Sequence, residues 1–260
     1  MNNIFDSHAH YNDTAFDADR DEVLNSLGEK GVSNVINCAT DYNSSLISLS
    51  YAEKYPFIYA SCGLHPEDIK DNYEDELEKI YPLLIEKKCV AVGEIGLDYH
   101  YDEIPRNVQI DVFTRQLIKA NEMNLPVIVH DREAHADTLE LLKKYKPKGV
   151  LHCFSGSVET AREVLNLGMY LGFGGVVTFK NAVKSVETAK YVPLDRILLE
   201  TDCPYMAPVP FRGKRNDSSL IKFAAEKIGE IRGLDAQTVI DEANKNTKRL
   251  FNILNKECEK

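Results

Sequence analysis

The chain has 260 residues, of which 43% are hydrophobic and 28% are charged. This composition is typical of a globular protein with a sizeable core and excludes long disordered stretches. No apolar run approaches the roughly 18 residues of a membrane span, and the N-terminal MNNIFDSHAH lacks the basic and apolar regions of a secretory signal. We therefore expect a soluble, cytoplasmic protein that needs neither a membrane nor an obligatory protein partner.

Forty-one acidic residues against 31 basic ones give the chain a formal net charge of −10. This balance argues against a protein that holds nucleic acid on a broad basic face, since Lys and Arg dominate phosphate binding. It leaves room for an enzyme that brings positive charge to one site through metal ions.

The six cysteines contain no C-x-x-C pair, so neither a zinc ribbon nor a thioredoxin-type site is predicted. We expect free, mostly buried thiols in a reducing compartment at Cys38, Cys62, Cys89, Cys153, Cys203 and Cys258.

Eight short runs rich in β-branched residues recur along the chain, and most are continuously apolar, as in parallel strands buried on both faces. They lie at residues 3–6, 34–38, 57–62, 90–94, 127–130, 150–153, 170–172 and 197–202. Apolar residues at helical spacing mark segments between and after them at 23–27, 113–120, 141–145, 158–165 and 240–254. Ser157 is predicted to cap the fourth of these helices, and Gly168 to end it.

Alternating strands and helices of this number predict an α/β fold, a (β/α)8 TIM barrel, as a single domain over residues 1–260. The alternative, an open doubly wound sheet, would require a glycine-rich phosphate turn after the first strand. That position instead carries Ser7-His8-Ala9-His10.

Histidines and carboxylates collect where the predicted strands end, which is where barrel enzymes carry their active sites. His8 and His10 lie two residues apart, so both side chains point to the same side of an extended segment. Burying so many polar groups at one barrel mouth is costly without a cation. The set comprises His8, His10, Glu94, His130, His152 and Asp202.

Two divalent ions accommodate these ligands better than one. We predict that His8, His10 and Asp202 hold one ion, that His130 and His152 hold the other, and that Glu94 bridges them. Imidazole and carboxylate ligands suit zinc, manganese or iron, and magnesium less naturally. The two ions outweigh the two carboxylates in charge, so the site would accept an anion such as a phosphodiester. Asp202 is the predicted general base toward a water that the two metals activate.

These residues fall within motifs that resemble the TatD family of metal-dependent deoxyribonucleases, a branch of the amidohydrolase superfamily. The motifs, in chain order, are DSHAH at 6–10, GLHP at 63–66, GEIGLDY at 93–99, Gln109 with Phe113, LPVIVHDREA at 125–134, HCFSG at 152–156, LLETDCPYMAP at 198–208 and FRGKRN at 211–216. The resemblance covers nearly the whole chain and implies a (β/α)8 barrel. It also implies six metal ligands, namely His8, His10, Glu94, His130, His152 and Asp202.

Other residues near the strand ends are candidates for supporting roles, each with an alternative. His65 would donate to a substrate phosphate, or would be a hydrogen-bonded residue of a Leu-His-Pro turn. Arg132 would contact substrate, or would form an ion pair within its loop. Glu200 would lie behind the metal ligands, assist catalysis or hold a third metal, or would pair with a basic residue of the barrel. No role is predicted for His100 or His135.

The dense basic cluster follows the last strand and contains Arg212, Lys214 and Arg215. Guanidinium groups match phosphate geometry, so Arg212 and Arg215 are predicted to bind the substrate backbone, the alternative being a solvated loop. Residues 217–219 depart from the acidic-proline continuation usual in the family. Four aromatic side chains are candidates for base stacking or for simple packing, namely Tyr99, Tyr101, Phe154 and Tyr205.

The sequence therefore predicts a metal-dependent hydrolase, a deoxyribonuclease that cleaves DNA phosphodiester bonds from an end and carries two divalent ions (Mg, Mn or Zn). One alternative is a hydrolase of a small amide, lactone or phosphoester, since fold does not dictate substrate. A non-catalytic scaffold is the other, and the complete ligand set argues against it.

Overall fold

Eight parallel strands, most of them buried along their whole length, form one sheet in the computed structural model, which describes residues 1–101 and 103–253. Each strand pairs with the next one along the chain. The strands are β1 (Ile4–Ala9), β2 (Val32–Cys38), β3 (Ile58–Cys62), β4 (Cys89–Asp98), β5 (Val127–Arg132), β6 (Gly149–Leu151), β7 (Tyr170–Phe173) and β8 (Ile197–Leu199).

Helices connect the strands and cover the outside of the sheet. They are α1 (Arg20–Ser26), α2 (Tyr42–Lys54), α3 (Tyr73–Ile80), α4 (Arg106–Glu122), α5 (His135–Tyr145), α6 (Val158–Asn166), α7 (Val183–Tyr191), α8 (Ile221–Arg232) and α9 (Ala236–Leu250). None of the helices in the described ranges is both long and apolar enough to cross a membrane.

The sheet closes on itself just beyond the end of β8. Ala9 forms a parallel bridge with Cys203, the Asp202 N–H donates to the His8 carbonyl at 2.9 Å, and the His10 N–H donates to the Cys203 carbonyl at 2.8 Å. This seam completes a (β/α)8 barrel, which confirms the predicted fold class.

Strand alternation divides the core into two layers. Val127 and Val129 belong to the large cluster between sheet and helices, whereas Ile128 belongs to a smaller cluster inside the barrel. Phe251 and Ile253, which follow α9, join the inner cluster and fill the end opposite the polar strand ends. The barrel interior is therefore packed at one end and polar at the other.

Several predicted boundaries are wrong by a few residues. The fourth strand, predicted at 90–94, continues to Asp98. The last strand, predicted to reach residue 202, ends at Leu199, because the backbone then turns and reaches a φ of +57° at Asp202. The final helix, predicted to reach Leu254, ends at Leu250; Leu254 itself lies outside the described residues.

Other local expectations agree with the structure. The Ser157 side chain accepts from the Thr160 N–H at the start of α6, and Gly168 has a φ of +79° beyond its end. The five described cysteines are free, four of them buried and Cys153 partly buried. Cys258 lies outside the described residues.

Candidate metal centre

Alternation along the strands aims the polar side chains into the mouth of the barrel. His130 lies two residues after Ile128, and His152 lies two residues after Val150, so each imidazole continues an inward-facing row. Glu200 has the same relation to Leu198. The strand ends thus place these side chains directly above the packed interior.

Four donor atoms converge on one side of the mouth. The Nε2 atoms of His8 and His10 lie 2.9 Å apart, and Asp202 Oδ1 lies 3.6 Å from the first and 3.3 Å from the second. Glu94 Oε2 lies 3.2 Å and 3.5 Å from the same two nitrogens. We call His8, His10, Asp202 and Glu94 Oε2 the first donor set.

A second group lies on the other side of the same carboxylate. Glu94 Oε1 lies 3.0 Å from His130 Nδ1 and 2.8 Å from His152 Nε2, and these two nitrogens are 3.4 Å apart. His65 Nε2 lies 3.4 Å from the same oxygen. We call His130, His152 and Glu94 Oε1 the second donor set.

The donor sets fit divalent cations. His8 Nε2 and His10 Nε2 point at one another, which is favourable only with a proton or cation between them. Burial raises the pKa of Glu94, but the charges of His152, His8 and His65 outweigh it and hold the pKa well below its usual range. The buried carboxylate is therefore ionised, and positive charge on neighbouring groups or on a bound cation stabilises it.

Protons supply this charge in the metal-free protein. Burial lowers the pKa of His10, yet hydrogen bonding to Asp202 and the charge of Glu94 raise it to about 9. Burial likewise opposes ionisation of His130, but Asp98 and Glu94 raise its pKa to about 10. Because cations compete for these same positions, metal uptake would release protons.

Further groups contact the ring nitrogens of His10 and His130 that point away from the donor sets. The Nδ1 atom of His10 lies 2.9 Å from the Cys38 carbonyl oxygen, and His130 Nε2 lies 2.9 Å from Asp98 Oδ2. Below them, the fully buried Asp6 accepts from the Thr201 N–H at 3.0 Å and from the Ser218 hydroxyl at 2.7 Å. These contacts connect the end of β1 with β2, β4 with β5, and β1 with the loop after β8.

Glu200 lies behind the second donor set. Its Oε1 accepts from the Cys153 N–H and lies 3.9 Å from His152 Nδ1, while Oε2 is buried without a partner in the described structure. Gly172 provides room for this carboxyl, because a Cβ there would clash with it. Burial raises the pKa of Glu200 to about 8. Within the described ranges Glu200 pairs with no lysine or arginine.

His65 is a hydrogen-bonded turn residue, as one of its two interpretations states, and its donation to a substrate phosphate stays a prediction. Its Nδ1 accepts from the Glu67 N–H at 3.2 Å, as expected for a turn residue. Its other nitrogen faces Glu94 at the barrel mouth.

The basic residues near the mouth differ in their partners. Arg215 makes two hydrogen bonds with Asp19, of 2.7 Å and 2.6 Å, and one with the Ala15 carbonyl. Arg212 stacks on Phe179 at 4.1 Å, and Arg132 on Tyr101 at 5.1 Å. Neither of these two forms an ion pair within residues 1–101 and 103–253.

The aromatic candidates also separate into two kinds. Tyr99 and Phe154 are buried and act as packing residues. Tyr101 and Tyr205 are 47% and 54% exposed, and the Tyr205 hydroxyl donates to Asp13. His100 and His135 pair with Glu133 and Asp131 respectively, and neither belongs to a donor set.

Sequence reasoning assigned no role to Asp6 or Asp98, although both lie in the motifs that it singled out. Asp98 is four residues beyond Glu94 on β4, and its parity places it on the same face of the strand. Strand parity was thus the signal that would have found Asp98. It does not apply to Asp6, because the register of β1 shifts between Asp6 and Ala9.

Comparison with known proteins agrees with this geometry. The family described as "TatD related DNase" matches residues 5–252. The chain is 43% identical over 253 residues to an uncharacterized metal-dependent hydrolase, YabD of Bacillus subtilis, a match that covers 96% of this chain and 99% of the relative. It is 33% identical over 257 residues to a 3'-5' ssDNA/RNA exonuclease, TatD of Cronobacter sakazakii, covering 95% and 97%.

Solved structures show the same likeness. YjjV, a TatD homologue from Escherichia coli K12, superposes with a TM-score of 0.91 at 32% identity, covering 96% of this chain and 98% of that one. A TatD family hydrolase from Entamoeba histolytica superposes with a TM-score of 0.85 at 24% identity, covering 96% and 98%, and supports the fold alone.

Proposed function

Because this chain is a metal-dependent hydrolase that belongs to the TatD family, we propose that it is a deoxyribonuclease that removes nucleotides from an end of a DNA strand. The naming of some relatives as 3'-5' ssDNA/RNA exonucleases supports a nucleic-acid substrate. The chemistry proposed is hydrolysis of a phosphodiester bond.

The observation that carries this proposal is the shared carboxylate of Glu94. Its two oxygens face two different groups of imidazole nitrogens, at 3.2 Å and 3.5 Å on one side and at 2.8 Å and 3.0 Å on the other. A bridging carboxylate of this kind suits two ions a few ångströms apart. We therefore assign one divalent ion (Mg, Mn or Zn) to each donor set.

A pair of divalent ions supplies Lewis-acid charge for the attacking and leaving oxygens of an in-line displacement and lowers the pKa of water. Asp202 provides the base. Burial raises the pKa of Asp202, but hydrogen bonding to His10 and the charges of His8 and His10 lower it overall, so its carboxylate is ionised and able to accept a proton.

The remaining residues are assigned to the substrate. His65, at the mouth beside Glu94, donates to the phosphate that is attacked. Arg132 and Arg212 have no carboxylate partner in the described ranges, and we assign them to phosphates of the strand. Arg215 is already held by Asp19, so we expect its main contribution to be to loop structure. Glu200 supports the second donor set from behind.

Hydrolysis of end-labelled DNA tests the function. Metal-stripped protein is given single-stranded DNA, duplex DNA or RNA with Mg, Mn or Zn added separately and a chelator control. The expected result is a metal-dependent ladder of shortened DNA products. Protein that binds two ions but cleaves no DNA with any metal would overturn the proposal and favour a small-molecule hydrolase.

A matched pair of variants connects the activity to the shared carboxylate. Glu94→Gln should lose both metal stoichiometry and hydrolysis. Glu133→Gln changes an exposed carboxylate that pairs with His100, and should retain both. Wild-type turnover by Glu94→Gln would contradict the two-ion arrangement.

A further inference from the structure

Asp98 is a buried carboxylate at the end of β4 that contacts a donor imidazole from outside the centre. It is 1% exposed. Its Oδ2 lies 2.9 Å from His130 Nε2, and its Oδ1 accepts from the His100 N–H at 2.9 Å. Both oxygens of this carboxylate are thus in use.

The backbone of Asp98 is held as firmly as its side chain. Gln109 of α4, which is 2% exposed, accepts from the Asp98 N–H at 2.9 Å and donates to the Asp98 carbonyl at 2.8 Å. On the other edge of the strand, Asp98 pairs with Arg132 of β5. The position of the carboxylate is therefore determined by two neighbouring elements.

The two nitrogens of His130 face opposite environments. Nδ1 points into the second donor set, 3.0 Å from Glu94 Oε1, whereas Nε2 points at Asp98. A neutral imidazole carries one proton and offers one lone pair. A carboxylate at Nε2 holds the proton there, and the lone pair is then left on Nδ1.

We infer that Asp98 is a positioning residue that fixes the Nε2–H tautomer of His130 and thereby presents Nδ1 to the second ion. This inference rests on the two-ion site proposed above, but not on the identity of the substrate. A carboxylate behind a ligating imidazole fixes its tautomer and orientation and increases its basicity.

The other donor imidazoles are held differently. His10 Nδ1 faces a backbone carbonyl, and the Nδ1 atoms of His8 and His152 have no hydrogen-bond partner within residues 1–101 and 103–253. Asp98 therefore acts on the second donor set alone, and its loss should weaken one ion and spare the other.

Asp98→Asn tests this with little change in shape. If the new amide oxygen keeps the His100 N–H, the new NH2 group faces His130 Nε2 and favours a lone pair there. The proton then moves to Nδ1, where it blocks the ion. The substitution thus converts an acceptor into a donor at the atom that matters.

Asp131→Asn is the matched control. Asp131 is also a buried carboxylate beside an imidazole, with Oδ2 2.6 Å from His135 Nδ1, but His135 belongs to neither donor set. The same change of charge and shape is made on the neighbouring strand. Asp131 follows His130 in the chain, but within the described residues its side chain forms no hydrogen bond with a predicted ligand.

The first measurement is calorimetric titration of metal-stripped protein with Zn²⁺ and no DNA present. We expect wild type and Asp131→Asn to take up two ions, and Asp98→Asn to bind one ion normally and the other about 10- to 100-fold more weakly. Thermal unfolding of the metal-free variants shows whether each is folded. Unchanged affinity in folded Asp98→Asn would overturn the inference, as would uptake of a single ion by wild type.

The second measurement needs no variant at Asp98. Long-range ¹H–¹⁵N spectra of zinc-loaded wild type, with the His130 signal assigned by its absence in His130→Gln, report which ring nitrogen is protonated. We expect the proton on Nε2 and zinc on Nδ1, and the opposite pattern would refute the inference. A protein that meets both expectations yet cleaves no DNA would refute only the proposed function.

Discussion

Single guanidinium groups at the barrel mouth differ in what they are free to bind. Arg215 is committed to Asp19, whereas Arg212 and Arg132 rest on aromatic rings. Stacking leaves the edge of a guanidinium available for hydrogen bonding to an anion. Arg132, Arg212 and Arg215 were all candidates to bind phosphate, but the structure leaves only Arg132 and Arg212 without a carboxylate partner in the described ranges.

We expect Arg132→Ala and Arg212→Ala each to raise KM for single-stranded DNA about 10-fold or more, because a hydrogen bond to a charged group contributes about 1.5–3 kcal/mol. Steady-state kinetics at fixed salt measures this. Arg162→Ala is the control, since Arg162 lies over Tyr191 in a similar way on α6. An equal effect in the control would contradict the assignment.

His135 allows a test of pH dependence outside the metal centre. The hydrogen bond to Asp131 raises the pKa of His135, and burial opposes it. The pair therefore stabilises the folded protein fully below pH 6.5, the pKa of an ordinary histidine. This stabilisation is lost as the pH rises through the higher pKa that His135 has in the folded protein.

We expect His135→Ala to lower the free energy of unfolding more at pH 5.5 than at pH 9, by about 0.2–1 kcal/mol for this half-exposed pair. Urea unfolding of both proteins in chelator provides the measurement, because the donor histidines are then metal-free at every pH. If the loss of unfolding free energy in His135→Ala were independent of pH, or larger at high pH, the expected direction of the pH dependence would be wrong.

At the scale of single residues, spacing was sufficient to predict that the donors meet. His8 and His10 lie two residues apart at the end of β1, His130 lies on β5, and His152 and Asp202 follow β6 and β8 of the same barrel. Spacing does not reveal which nitrogen of His130 faces Asp98, because that depends on the orientation of the ring. The partner of Arg215 depends on a loop 196 residues away.

At the scale of elements, the N-terminus of α2 is more recognisable in the sequence than its buried face. The helix α2 has a capping box, in which Asp41 Oδ1 accepts from the Ser44 N–H at 2.7 Å and Ser44 Oγ accepts from the Asp41 N–H at 2.8 Å. Four buried residues of α2 are Ser44, Ser45, Ser48 and Ala52. Serines on the buried face conceal the helical periodicity, which is why apolar spacing did not predict this helix.

Asp41→Ala should lower the free energy of unfolding by about 1–2 kcal/mol, since the first turn of α2 loses its cap. Ser50→Ala in the same helix removes an exposed serine that bonds only to the Ile47 carbonyl, and should change stability by less than about 0.5 kcal/mol. Chemical denaturation of both variants measures the difference. Equal losses would show that the cap contributes little.

At the scale of the whole molecule, the barrel is closed at one end by the segment after α9. Phe251 is 1% exposed and belongs to the inner cluster, with Ile253 beside it. Continuous apolar runs predicted the barrel correctly, because parallel strands buried on both faces have that pattern. Apolar runs do not predict which segment packs into the closed end of the barrel, because the strand pattern does not specify a residue for that position.

Phe251→Ala should destabilise the protein by about 3–5 kcal/mol, the cost of a large cavity in a packed interior. Metal stoichiometry of the folded variant should be unchanged, because the donor sets lie at the opposite end. Thermal unfolding and metal titration measure the two effects. Ile85→Ala, at a side chain that is 76% exposed, is the control, and a comparable loss there would contradict the role assigned to Phe251.

The seam between β1 and the end of β8 also determines when the first donor set is assembled during folding. His8 and His10 are synthesised before Asp202, which follows them by about 190 positions. Bringing these ends together closes the longest loop in the barrel, at an entropic cost that is recovered only when the neighbouring contacts form. A nascent chain that ends before residue 202 lacks part of the first donor set, so under the proposed two-ion arrangement complete loading with metal would require a closed barrel.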